Sequence, residues 1–140
     1  MKYITLLLIL SVFTGCSHFQ KNRIDSIQVI ADTKANHDTV TDVDIVFVYD
    51  DGINLPESNS AWFDIRNDLR FNGVVKVIRM RITPSLVSEV QLPEQHFLAN
   101  KVLAYVNFQK NGDQPPMDIT QNKNPVILLK DDNYQLSWRR

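Results

Sequence analysis

The chain has 140 residues, with 15 Lys and Arg against 16 Asp and Glu, and a formal net charge of −1. That length is one domain's worth, and so even a balance excludes the dense basic surface of a nucleic-acid or anionic-membrane binder. The hydrophobic content, 44%, is that of an ordinary globular chain, and a single cysteine, Cys16, excludes an internal disulfide.

The first seventeen residues, MKYITLLLILSVFTGCS, place one charge, Lys2, before an apolar run from Tyr3 to Phe13. A basic start followed by a short apolar stretch is the pattern of a secretory signal. The stretch is too short for a mature transmembrane helix, which needs ~20 apolar residues. The closing Phe13-Thr14-Gly15-Cys16 resembles the bacterial lipobox, in which a peptidase cuts just before a lipidated cysteine. Residues 1–15 are then a lipoprotein signal peptide, and Cys16 is the lipidation site and first mature residue. The alternative is an ordinary cleavable signal with a cysteine nearby by chance. Diacylglycerol and an N-acyl chain on Cys16, each methylene contributing ~0.8 kcal/mol of burial, would hold the chain on a membrane, and no further cofactor is expected. Ser17, being other than Asp, favours the outer membrane by the sorting convention of lipoproteins.

Residues 16–23 read as a polar tether and 24–140 as a single domain, and the mature chain from Cys16 has net charge −2 once Lys2 is gone. Ile27, Val29 and Ala31 alternate with Gln28, Ile30 and Asp32, the period of a strand. Lys34–Thr39, KANHDT, is a surface loop by its Asn36 and Asp38. Thr41–Tyr49 carries Val43, Ile45, Phe47 and Tyr49 on one face and Asp42, Asp44, Val46 and Val48 on the other, so it runs from a wet rim into a covered interior. After Asp50-Asp51-Gly52, one helix is expected, capped by Ser58 or Asn59 and stopped at Gly73. Ala61, Trp62, Ile65 and Leu69 would form its inner face.

Val74–Thr83 and Leu86–Leu92 alternate again around Pro84-Ser85, and Lys101–Gln109 is apolar on both faces, as a central strand should be. Lys110–Pro116 is loop. Val126–Leu129 and Tyr134–Trp138 flank an Asp131-Asp132-Asn133 turn as a hairpin. About seven short strands and one helix predict a mainly β fold, a two-sheet antiparallel β-sandwich with one short surface helix.

Chemistry-bearing groups are sparse. His18, His37 and His96 are scattered and lack the spacing of a metal site. Asp42, Asp44, Asp50 and Asp51 crowd a strand and its end without the loop and closing Glu of a calcium site. No Gly-x-Ser-x-Gly elbow is present, and the glycines are too dispersed to cradle phosphate. Neither a catalytic residue nor a metal site is expected. Lys76, Arg79 and Arg81 form a basic stripe on a strand, and Trp62 and Trp138 read as core and sheet-face residues.

In order, Cys16, the strand 26–32, the Asn36-His37-Asp38 turn, the strand Ile45–Tyr49 ending in an aromatic, the segment Trp62–Leu69, the strand 87–92 and the strand bearing Ala104 and Phe108 resemble the outer-membrane lipoprotein of type VI secretion systems, the TssJ or VasD family. His37 stands where the family has proline, and Trp138-Arg139 lies nearer the chain end than the family's late Trp-Arg. The resemblance implies a transthyretin-like sandwich facing the periplasm from the outer membrane. It also implies a non-enzymatic role, holding a TssM-like inner-membrane component through the loop bearing Lys34, Asn36, His37 and Asp38. Against it stands a lipid-tethered periplasmic binding module for a small ligand or an envelope polymer.

Overall fold

The computed structural model describes residues 20–108 and 114–138. The signal stretch with Cys16, together with His18, most of the Lys110–Pro116 loop and Arg139, lies outside the described residues. Among the described residues, eight strands form two four-stranded sheets. One sheet orders β4 (Val87–Glu89), β1 (Gln28–Ala31), β7 (Pro125–Leu129) and β8 (Tyr134–Trp138); the other orders β3 (Val75–Ile82), β2 (Thr41–Val48), β5 (Lys101–Asn107) and β6 (Met117–Asp118).

The alternation in the sequence decides which side chains meet between the sheets. Val43, Ile45 and Phe47 of β2, Val102, Ala104 and Val106 of β5, and Val29, Ile127 and Leu129 from the facing sheet are all buried in one aliphatic core. The other faces of β2 and β5 supply Val46, Val48, Leu103 and Tyr105 to a second cluster with Trp62 and Phe71. Every pairing is antiparallel except β1 with β7, which run parallel from Gln28↔Val126 to Ala31↔Leu129. Hairpin spacing could not reveal that pair, because its strands lie at opposite ends of the chain.

The helix between β2 and β3 is shorter than expected. α2, Asn59–Ile65, starts as predicted at Ser58, whose Oγ accepts from the Ala61 amide at 3.3 Å. It ends two turns later, because Asp68 is extended and its side chain caps a separate 3₁₀ turn, Leu69–Phe71, by accepting from the Arg70 amide at 2.9 Å. Gly73, with φ +79°, closes that turn rather than the helix. The change of axis reverses the expected inner position of Leu69, which is 79% exposed, and Phe71 is buried in its place. Ala61 is exposed as well. Trp138, at the sheet's end, is also largely exposed.

Asp44 is the sharpest departure from the expected wet rim. Its side chain is fully buried, accepting from Trp62 Nε1 at 2.9 Å and from Arg66 Nη1 at 3.2 and 3.3 Å. Trp62 stacks on Tyr105 with centroids 4.8 Å apart, and the Tyr105 hydroxyl donates to the Pro56 carbonyl at 2.8 Å. Burial pushes the Tyr105 phenol well above its ordinary range. Asn59 completes the clamp: its Oδ1 accepts from the Val106 amide at 3.0 Å, and its Nδ2 donates to the Tyr134 hydroxyl. A buried carboxylate needs such partners, and here they fasten α2 to the sheet.

Candidate functional site: the loop after the first strand

The segment between β1 and β2 is a tight left-handed turn rather than an open loop. In α1, Ala35–Asp38, three successive residues adopt positive φ: Asn36 at 50°, His37 at 55° and Asp38 at 60°. Asn and Asp tolerate that region better than other non-glycine residues, yet each position costs on the order of 1 kcal/mol. Neighbouring backbone offsets the cost. The Asn36 amide donates to the Lys130 carbonyl at 2.8 Å and the His37 amide to the Asp131 carbonyl at 3.1 Å, so the turn is pinned to the β7–β8 hairpin. Lys130 Nζ lies 3.2 Å from Asp32, and His37 Nδ1 lies 3.2 Å from Asp131.

The four candidate residues therefore divide. Asn36 is fully buried, its Nδ2 reaching the Val40 carbonyl at 3.5 Å, and it shapes the turn from within. Lys34 and Asp38 are exposed, and His37 is about one-third exposed. His37 Nε2 has no hydrogen-bond partner among the described residues. The sequence marked this segment as a turn through Asn36 and Asp38 but could not show that Asn36 faces inward.

The described N-terminal segment lies at the other end of the sandwich. Asn22, expected in the tether, is buried, and its Nδ2 donates to the carbonyls of His96 at 2.6 Å and Ala99 at 3.1 Å. His96 sets its ring nitrogens against the Pro93 carbonyl at 2.9 Å and the Ile24 carbonyl at 3.2 Å, which makes it a bridge between segments rather than a solvated loop residue. The adjoining Asn100 amide donates to the Val48 carbonyl at the far end of β2. β2 has eight residues, so the two ends stand ~25 Å apart at about 3.3 Å per residue. A groove of about 530 Å³, lined by Val48, Ile53, Leu55 and Leu103 with Asp50, Asp51, Glu57 and Asp118 around one Lys101, also opens at this end.

Among the described residues no group of three or more His, Cys, Asp or Glu could hold a metal ion, and no helix is long and apolar enough to cross a membrane. No protein-family model and no curated protein matches the sequence. Solved structures do match. Lip of Serratia marcescens, described as a membrane-bound component of the type VI secretion system, superposes with a TM-score of 0.56 at 11% identity over 85% of this chain and 99% of that one. The type VI lipoprotein TssJ1 of Pseudomonas aeruginosa gives 0.58 at 10% identity over 85% and 97%. A chain in a structure described as the TssM C-terminal domain from EAEC gives 0.56 at 12% identity over 80% and 98%. The fold is thus the β-sandwich seen in structures of type VI secretion lipoproteins, with both sheets and the single two-turn helix of the described residues in place.

Proposed function

We propose that this chain is a divergent lipoprotein of the TssJ type, tethered to the outer membrane through acyl chains on Cys16 and holding the periplasmic part of a TssM-like inner-membrane component. The shared sandwich supports the class, since two of its structural neighbours are described as type VI lipoproteins and a third stands in a structure described by a TssM domain. The observation that carries the reading is the separation of the two ends. The chain enters the domain through Asn22 at one end of β2, and the pinned turn with Lys34, His37 and Asp38 projects from the other. An anchor works in tension, so a lipid grip and a protein grip on opposite ends load the strands along their length. No catalytic group is needed for such a task.

The test is co-purification of the full lipidated chain with the periplasmic domain of the TssM-like protein. Changing the exposed charges, Lys34→Glu together with Asp38→Asn, which keeps a side chain suited to φ 60°, should abolish co-purification while the melting temperature stays within a few degrees. Cys16→Ser should release the chain from the membrane fraction without weakening that contact in solution. Undiminished capture of the TssM-like domain by the charge-altered chain would rule out the turn as the grip. Membrane retention of the Cys16→Ser chain would rule out the lipid tether.

A further inference from the structure

The strand order leaves the outer side of β3 unpaired, and at eight residues it is the longest sheet edge among the described residues, against three in β4, two in β6 and five in β8. The Tyr49 amide donates to the Val74 carbonyl at 3.1 Å, which sets the phase of the ladder. Antiparallel alternation then places the bonds to β2 on Lys76, Ile78, Met80 and Ile82, and turns the backbone N–H and C=O groups of Val75, Val77, Arg79 and Arg81 outward. None of these outward groups meets a hydrogen-bond partner among the described residues.

The side chains along this edge are basic. Lys76, Arg79 and Arg81 are exposed. Arg81 lies 3.4 Å from Asp42, and Arg79 donates to the Arg66 carbonyl at 3.1 Å. Among the described residues no carboxylate pairs with Arg79 or Lys76. On the face that carries Val75, Val77 and Arg79, a groove of about 460 Å³ runs between β3 and the 3₁₀ turn, floored by Phe71.

Charge on an edge strand ordinarily guards against pairing with another copy. Two β3 edges brought together would set Arg79 and Arg81 of one copy against the same stripe on the other, which like-charge repulsion disfavours. The same stripe is complementary to a carboxylate-bearing strand. We propose that the β3 edge accepts an extended acidic segment of a partner protein as a further strand. Alternate side chains of that segment place two carboxylates over Arg79 and Arg81 and two apolar groups over Val75 and Val77. Backbone pairing holds the segment and the charges select it, as in other strand-addition complexes. This surface is separate from the left-handed turn and does not depend on it.

Two labelled heptapeptides, Val-Thr-Val-Thr-Glu-Thr-Glu and its reverse, cover the parallel and antiparallel directions and are titrated against the full chain in detergent micelles. One of them should bind about tenfold more tightly than its counterpart with Lys in place of Glu, and should weaken in about 0.5 M salt. Methylating alternate backbone nitrogens of the peptide on its pairing side should remove binding, and Arg79→Glu with Arg81→Glu should reduce it by about tenfold. Both positions are exposed, so that variant keeps its fold. Slowed amide exchange on binding should fall on Val75, Val77, Arg79 and Arg81. Equal binding of the Glu and Lys peptides, undiminished binding after methylation, or protection at β8 instead would overturn the proposal. Self-association of the chain that is lost on blocking β3 would assign the edge to a second copy and overturn it too. The Lys34→Glu, Asp38→Asn chain should bind the peptide as the parent does, which keeps failure here distinct from failure of the lipoprotein reading.

Discussion

Both ends of the sandwich are held by backbone bonds, and they differ in how much side chains add. At the Asn22 end, the Lys21, Arg23 and Asp25 amides donate to the Phe97, Thr120 and Lys123 carbonyls, and side chains add further bonds: Asn22 to the His96 and Ala99 carbonyls, Asn100 Nδ2 to the Tyr49 carbonyl, and Ser26 Oγ to Asn124 Oδ1. At the other end, backbone amides of Asn36 and His37 reach backbone carbonyls of Lys130 and Asp131. A side-chain fastening fails when one residue is changed. A backbone fastening survives most changes of side chain so long as the left-handed geometry is kept, which leaves the exposed positions of that turn free to be chosen for contact.

A change that belongs to neither end sets the scale. Trp62→Ala removes the ring that bridges Asp44, Phe71 and Tyr105 and should cost ~3–5 kcal/mol. Amide exchange should then accelerate at both ends alike; faster exchange at one end alone would mean that the ends do not share a cooperative unit. Asn22→Ala comes next. It leaves the His96 and Ala99 carbonyls without their donor, and the Ile24 amide without the Asn22 Oδ1 that accepts from it at 3.2 Å. Stability should fall by ~2–3 kcal/mol, with exchange rising first in residues 93–100 and little altered in the α1 turn.

Much of this was legible because burial follows period. Val43, Ile45 and Phe47 alternate as strand residues must, and their faces were assigned from the sequence as the structure has them. The central strand bearing Ala104, the Tyr134–Trp138 hairpin, the Ser58 cap and the burial of Trp62 followed from the same local rules. What was not legible depends on partners distant in sequence. Asp44 looks like a rim residue until Trp62 and Arg66 are brought over it. The parallel β1–β7 pair has no local signature, and β6, with two residues after a pair of prolines, is too short for a period. At the candidate site, composition marked the turn but not its handedness, so Asn36 was grouped with exposed residues although its side chain faces inward.

Asn36→Val tests the backbone fastening directly. A β-branched side chain at φ 50° is strained, and loss of the turn should cost ~2 kcal/mol with faster exchange confined to residues 34–39. Asn36→Gly, which adopts that φ freely, should hold the turn and separate geometry from side chain. A chain that tolerates Val as well as Gly there would show that the turn is not set by its handedness.

His37→Ala should have the smallest effect on stability and is the most informative about contact. The imidazole is one-third exposed and its Asp131 partner more than half exposed at 3.2 Å, so solvent screens the pair, and its removal should cost no more than ~0.5 kcal/mol. The amide bond from residue 37 to the Asp131 carbonyl does not involve the side chain and should persist. If the turn is a preformed grip, His37→Ala leaves exchange across residues 34–39 unchanged while weakening capture of the TssM-like domain. If the imidazole instead supports the turn, exchange and capture change together. Measuring both on one variant therefore separates a residue that shapes the turn from one that uses it.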